Sequence, residues 1–280
     1  MKKTLITVLV CMTFAHAGFI KDGIEAKQNG DHQKLIEIYD NACYKEKKAS
    51  GCYNLGVLYF EGTGNVEKDY KKAINLYEKA CKENFALACN NLGYAYESGS
   101  GVDQNFTKAI EFYEKACKDN EGCTSLGLLY ANGAGTKRDI QKALELYTKA
   151  CNYGDMMGCN NLGFLYMEGL GVQKDYKKAK EYYEKSCAGE IGVGCDNLGF
   201  LYAFGNGTKQ DYKKAAKYYE KSCSFGYYKG CNNLAIMYAE GKGVRVNNEK
   251  AKELFQKSCD NGLKIGCENL NFLNTITKSK

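Results

Sequence analysis

Apolar and polar positions along this chain alternate with a helical period, and the same pattern returns at nearly fixed intervals. In one copy, Cys159, Leu162, Gly163 and Tyr166 fall at i, i+3, i+4 and i+7, so they share one face of a helix, and the glycine lets a second helix approach closely. The following stretch places Ala179 four residues after Asp175, Tyr183 four after that and Cys187 a turn later, a small-then-large stripe at the same spacing. Each copy therefore predicts two helices. The first ends at paired glycines, Gly62/Gly64, Gly99/Gly101, Gly133/Gly135, Gly169/Gly171, Gly205/Gly207 and Gly241/Gly243, which supply the left-handed conformations of a tight turn. The second opens on Asp31, Asp69, Asn105, Asp139, Asp175, Asp211 or Asn247, short side chains whose oxygen accepts from otherwise orphaned amides of the first turn.

A helix pair that buries its stripe only against its neighbours stacks in one dimension. The predicted fold is thus all-α, a right-handed α/α solenoid of seven helix-pair repeats of about 36 residues, with the first helices lining a concave face. The repeats span 31–275, preceded by a capping segment at 18–30 that lacks cysteine and followed by a short tail at 276–280. Composition carries the same signature, since Pro 0 and Trp 0 beside Tyr 23, Gly 31 and Cys 15 is the bias of one small unit copied many times.

Lys2 and Lys3, an apolar run from Leu5 to Phe14 and Ala15-His16-Ala17 have the grammar of a cleaved secretory signal peptide over residues 1–17. Export to the periplasm or the medium is expected, with no membrane association after cleavage. Removing Cys11 with the leader leaves fourteen cysteines in seven successive couples: Cys43 and Cys52, Cys81 and Cys89, Cys117 and Cys123, Cys151 and Cys159, Cys187 and Cys195, Cys223 and Cys231, Cys259 and Cys267. An even count in an exported chain reads as a disulfide framework, each bond stapling the end of one helix to the start of the next. The net charge of +6 is spread without a basic run, so nucleic-acid binding is not expected.

Leu-Gly-x-x-Tyr, Gly-x-Gly-Val, Lys-Asp-Tyr-Lys-Lys-Ala and Tyr-Tyr-Glu-Lys-Ser-Cys together resemble the Sel1-like repeats, a branch of the tetratricopeptide-like solenoids, over nearly the whole chain after the leader. With its cysteine couples, the chain is similar to the secreted Helicobacter cysteine-rich proteins. That resemblance implies penicillin binding with slow β-lactamase activity, or a secreted factor acting on host cells. The short third couple departs from the family spacing and leaves the turn at Cys117–Cys123 open.

Binding residues are sought on the first-helix face opposite the Leu/Tyr seam, where packing makes no demand. Two columns stand out. Asn54, Asn91, Ser125, Asn161, Asn197, Asn233 and Asn269 precede each leucine, and a ladder of amides can grip the N–H and C=O groups of an extended peptide whatever its sequence. The same amides can instead bond from repeat to repeat, and the pattern does not choose. Three residues on lie Val57, Tyr94, Leu128, Phe164, Phe200, Ile236 and Phe272, which either floor a groove or bury against the adjacent repeat. The expected partners are a peptide, a peptidoglycan fragment or a β-lactam, or else a partner protein.

The chemistry of β-lactam hydrolysis is hard to find in these residues. No serine has a lysine three positions on, and Thr275 with Lys278 is a near-miss in the tail. Zinc needs several His, Cys or Asp ligands, and after the leader only His32 remains beside oxidised thiols, so neither a metal nor a cofactor is expected. One local motif is sharper: Asp103-Gln104-Asn105-Phe106-Thr107 contains an Asn-x-Thr glycosylation acceptor at Asn105, a residue that the repeat also reads as a helix cap.

Overall fold

The computed structural model describes residues 17–278. The signal peptide expected over 1–17 lies outside the described residues apart from Ala17, as do the last two residues of the tail. The described chain holds fifteen α-helices, one π turn and no strand. It divides between Gly122 and Cys123 into two compact units. The first contains α1 (Ala17–Gln28), α2 (His32–Asp40), a π turn (Asn41–Lys45), α3 (Ala49–Glu61), α4 (Tyr70–Lys82), α5 (Ala86–Ser98) and α6 (Phe106–Lys118). The second contains α7 (Cys123–Asn132), α8 (Ile140–Asn152), α9 (Met156–Glu168), α10 (Tyr176–Ala188), α11 (Gly192–Phe204), α12 (Tyr212–Ser224), α13 (Tyr228–Glu240), α14 (Asn248–Asp260) and α15 (Lys264–Lys278). Within each unit every helix packs on the next in sequence, and in the second unit α7, α9, α11, α13 and α15 also touch in order, forming one layer.

The local signals act as their chemistry requires. Asp31, Asp69, Asn105, Asp139, Asp175, Asp211 and Asn247 each accept a hydrogen bond from the backbone N–H three residues on, at the start of α2, α4, α6, α8, α10, α12 and α14. At the other signal, Gly169 ends α9 in the left-handed region with φ 73°, a conformation that any side chain would strain.

Packing between the paired helices depends on a missing side chain. A Cβ on Gly163 would lie 2.8 Å from the ring of Tyr183, which is fully buried, and Gly56, Gly93, Gly127 and Gly199 meet Tyr77, Tyr113, Tyr147 and Tyr219 in the same way. The rings fill the space that glycine vacates, so the two helices sit closer than ordinary side chains permit.

Six couples form disulfides between the end of one second helix and the first turn of the next first helix, with Cα atoms 4.5–4.9 Å apart. Cys117 and Cys123 are each in a disulfide as well. Closing a loop of about nine residues stabilises by roughly 2–3 kcal/mol on the chain-entropy account. The two irregular couples are absorbed locally. The first has one extra residue, and Cys43 sits in the π turn that widens the end of α2. The third is two residues short, and α7 opens on Cys123 itself, whereas α5 and α9 open three residues before Cys89 and Cys159. The cysteine-free segment at 18–30 is mainly one helix, α1, whose Phe19 packs edge-on to Tyr39 of α2. The last helix, α15, runs past 275 to Lys278. Among the described residues no helix is long and apolar enough to cross a membrane.

In a helix interior Gly→Ala ordinarily stabilises by about 1 kcal/mol. Here Gly163→Ala is expected to destabilise by about 1–3 kcal/mol, because the methyl group overpacks against Tyr183. Urea denaturation of the oxidised protein measures the sign, and a more stable variant would refute the close approach.

Candidate functional site

The two columns on the first helices take different environments. Leu58, Ala95, Leu129, Leu165, Leu201, Met237 and Leu273 are buried, and they hold the core. One residue earlier, and so about 100° round the helix, Tyr94, Leu128, Phe164, Phe200 and Phe272 are 38–65% exposed, while Val57 and Ile236 are half-buried. The apolar column therefore faces out at these five positions, while Val57 and Ile236 pack against the core.

The amide column is half-buried throughout, at Asn54, Asn91, Asn161, Asn197, Asn233 and Asn269. Three of these asparagines reach back one repeat. Asn197 Nδ2 donates to Asn160 Oδ1 at 3.0 Å, Asn233 Nδ2 to Asp196 Oδ1 at 2.8 Å, and Asn269 Nδ2 to Asn232 Oδ1 at 2.8 Å. In each case the acceptor belongs to the residue just after a first-helix cysteine, 37 positions earlier. One hydrogen of each amide is thus committed to the stack, while its second hydrogen and its carbonyl oxygen take no part in that bond. In the first unit, the Asn91 side chain lies near the phenols of Tyr53 and Tyr77 and partly offsets the rise in their pKa that burial causes. Asn161 accepts from Asn160 Nδ2 at 3.2 Å, and its own Nδ2 is buried without a partner.

The columns converge in the second unit on a cavity of about 560 Å³ between α9, α11, α12 and α13. Phe164, Phe200, Phe204 and Ile236 supply its apolar lining, and Asn197 and Asn233 its amides. Phe200 and Phe204 pack with tilted rings, their centroids 4.6 Å apart, with Phe204 64% exposed. Phe164 also borders a smaller hollow of about 160 Å³ one repeat earlier, beside Asn161, Leu128 and Arg138.

The same cavity contains a residue that the column reading passed over. Asp196 follows Cys195, in the position held by Asn90, Asn160 and Asn232 in other repeats, and it is only 3% exposed. Burial pushes its carboxyl group up to about pH 6, against the opposing effects of Lys229 and of the hydrogen bond from Asn233. Lys229 Nζ stands 3.9 Å from Oδ2. The only sequence signal was an acid where neighbouring repeats carry an amide. A partly desolvated carboxylate at the floor of an aromatic trough can hold a cation or exchange a proton near neutral pH.

The remaining candidates lie elsewhere. The lining of this cavity includes no Ser, Thr, Cys or His. Ser186 and Ser222 are buried beside the cystines of α10 and α12, and His32 packs against Gly64 with its Nδ1 buried and unbonded. Asn105 caps α6 through Oδ1 and is exposed.

The sequence profile of the Sel1 repeat matches residues 49–85, 86–121, 120–155, 157–190, 193–226 and 229–263. A Sel1 repeat protein from Oxalobacter formigenes is 29% identical and superimposes with a TM-score of 0.77 over 86% of this chain and 97% of that one. Cysteine rich protein B of Helicobacter pylori is 34% identical, covering 49% of this chain and 99% of its own, with a TM-score of 0.39. Cytochrome c oxidase assembly factor 7A of Xenopus laevis is 33% identical over 88 residues, 31% of this chain and 36% of that protein. The chain therefore spans about a third of the length of the curated relatives it matches.

The geometry at Asp196 has a measurable consequence. Its folded-state pKa of about 6 lies above the unfolded value of 3.8, so the folded chain binds more protons between these pH values and its stability falls as pH rises through them. Asp196→Asn keeps an acceptor for Asn233 and removes this penalty. The variant is expected to be more stable than the parent at pH 7, by up to about 3 kcal/mol, and nearly equal to it at pH 3.5. Chemical denaturation at the two pH values checks this, and a pH-independent difference would contradict it.

Proposed function

The chain belongs to the Sel1 repeat family, and from that premise we propose that it is an extracytoplasmic scaffold that binds an extended, peptide-like ligand along the aromatic trough of its second unit. Its cystines suit a chain that folds outside the reducing cytoplasm, in the periplasm or beyond. The observation that carries the binding reading is the row Phe164, Phe200 and Phe204, exposed on consecutive first helices and unused by the core. Exposed apolar surface rimmed by polar groups marks an interaction site. The uncommitted amide hydrogens and oxygens of Asn197 and Asn233 lie beside that row and can meet a backbone.

A segment of a partner protein or a peptidoglycan stem peptide has the required chemistry, and a β-lactam imitates part of it. Slow β-lactam hydrolysis, the activity implied by resemblance, draws no support from the trough, whose lining offers no hydroxyl or thiol nucleophile outside tyrosine.

Asn105 fits a second, separate role as a glycan acceptor. Its Oδ1 takes the capping hydrogen bond, so its amide nitrogen is not used there, and the residue lies at the surface.

Selection of peptides from a displayed random library by the oxidised protein should yield ligands whose binding is lost in Phe200→Asp at an unchanged melting temperature, since that ring is exposed. Retained binding by the variant would remove the trough from the account. Nitrocefin turnover is expected at the buffer rate. The mass of intact protein purified from its native host is expected to exceed that of the polypeptide, by an increment that Asn105→Gln abolishes. An exact polypeptide mass would dispose of the glycan.

A further inference from the structure

Asp196 does a job that needs no charge. Asn160 and Asn232, its counterparts in the flanking repeats, accept the same kind of amide hydrogen bond from the asparagine 37 residues later. An asparagine at 196 would complete the ladder without placing a carboxylate in a site that opposes its ionisation. Residues retained at a cost to stability are characteristic of functional sites.

The carboxylate is also under-coordinated. An ionised Asp has room for about four hydrogen bonds. Among the described residues the side chain accepts one, from Asn233, and Lys229 at 3.9 Å is beyond hydrogen-bond length with its own side chain 57% exposed. The phenols of Tyr219 on α12 and Tyr227 before α13 feel the Asp196 charge, which adds to burial in holding them protonated. From α9 the cavity receives Phe164 and Met167, which carry no charge, and Glu240 and Lys242, which also line it, are paired with each other at 2.6 Å.

We propose that the trough selects extended segments carrying an arginine, whose guanidinium docks on the Asp196 carboxylate while the residues two positions to either side lay apolar side chains on Phe164 and on Phe200 and Phe204. This rests on the trough reading above. An extended chain points residues i and i±2 to one face about 7 Å apart, so all three side chains reach the floor together. Guanidinium suits the site better than ammonium. Its planar fork can donate to a free lone pair on each carboxylate oxygen, it sheds water more easily, and it stacks on aromatic rings, whereas Lys229 already supplies a distant ammonium that can swing into solvent. Docking a cation favours the ionised carboxylate, so the selectivity is full above pH 7 and weakens as pH falls through 6.

Two blocked peptides test the idea: acetyl-Phe-Ala-Arg-Ala-Phe-amide and the counterpart with citrulline, which keeps the shape and loses the charge. Titration calorimetry on the oxidised full chain is expected to show the arginine peptide binding about tenfold tighter at pH 7.5, a difference typical of one charge-assisted contact. At pH 5 the ratio is expected to shrink severalfold, and in Asp196→Asn to approach unity at both pH values. Equal binding of the two peptides by the parent protein overturns the arginine selectivity and leaves the trough reading standing. Failure of both peptides to bind at either pH overturns both readings. Should Asp196→Asn fold poorly, the pH series on the parent decides alone, since a ratio that does not change between pH 7.5 and pH 5 contradicts a role for this carboxylate.

Discussion

The arrangement rests on how closely the two helices of a repeat approach. A glycine at the middle of one helix lets the ring of a tyrosine from its partner lie close against the backbone, and Gly163 with Tyr183 is one of five such contacts. The distance thus fixed determines where the last turn of a second helix ends. That in turn brings its cysteine within 4.5–4.9 Å, Cα to Cα, of the cysteine that follows. Packing sets the geometry, and the cystine then restrains the unfolded chain from leaving it. Irregular couples are accommodated by the turn and not by the contact: a π turn absorbs one extra residue at Cys43, and α7 gives up its first helical turn at Cys123.

With spacing fixed, the chemistry of the first helices sorts itself by angle. The leucine column turns inward, the column one residue earlier turns out, and the asparagine column lies at the boundary between repeats. In the second unit the outward column is rich in phenylalanine, so an unsatisfied apolar stripe runs beside half-committed amides. The stack makes no use of the exposed rings or of the second hydrogen of each amide. Asp196 sits where stripe and amides meet, in an environment that opposes its charge.

Much of this was legible in the chain. The helix caps, the glycine stops and the cysteine couples depend on neighbours within about one turn or one hairpin, so periodicity and residue type were enough to identify them. The asparagine column was visible as a column, yet its alternatives stayed open because each partner is 37 residues away and depends on how one repeat leans on the next. Asp196 escaped because an acid in place of an amide changes no pattern of helix or turn. Its unusual environment comes from burial beside Asn233 and Lys229, which no local rule reports.

The sequence by itself therefore determined the secondary structure, the pairing of helices and the oxidised couples, since these follow from short-range sterics and from hydrogen bonds within a single hairpin. Only the tertiary structure decided which of two adjacent apolar columns faces solvent, which amide hydrogens are already taken, and which carboxylate is left short of partners. Those properties belong to the spaces between repeats, and desolvation is set by everything that surrounds a group in three dimensions.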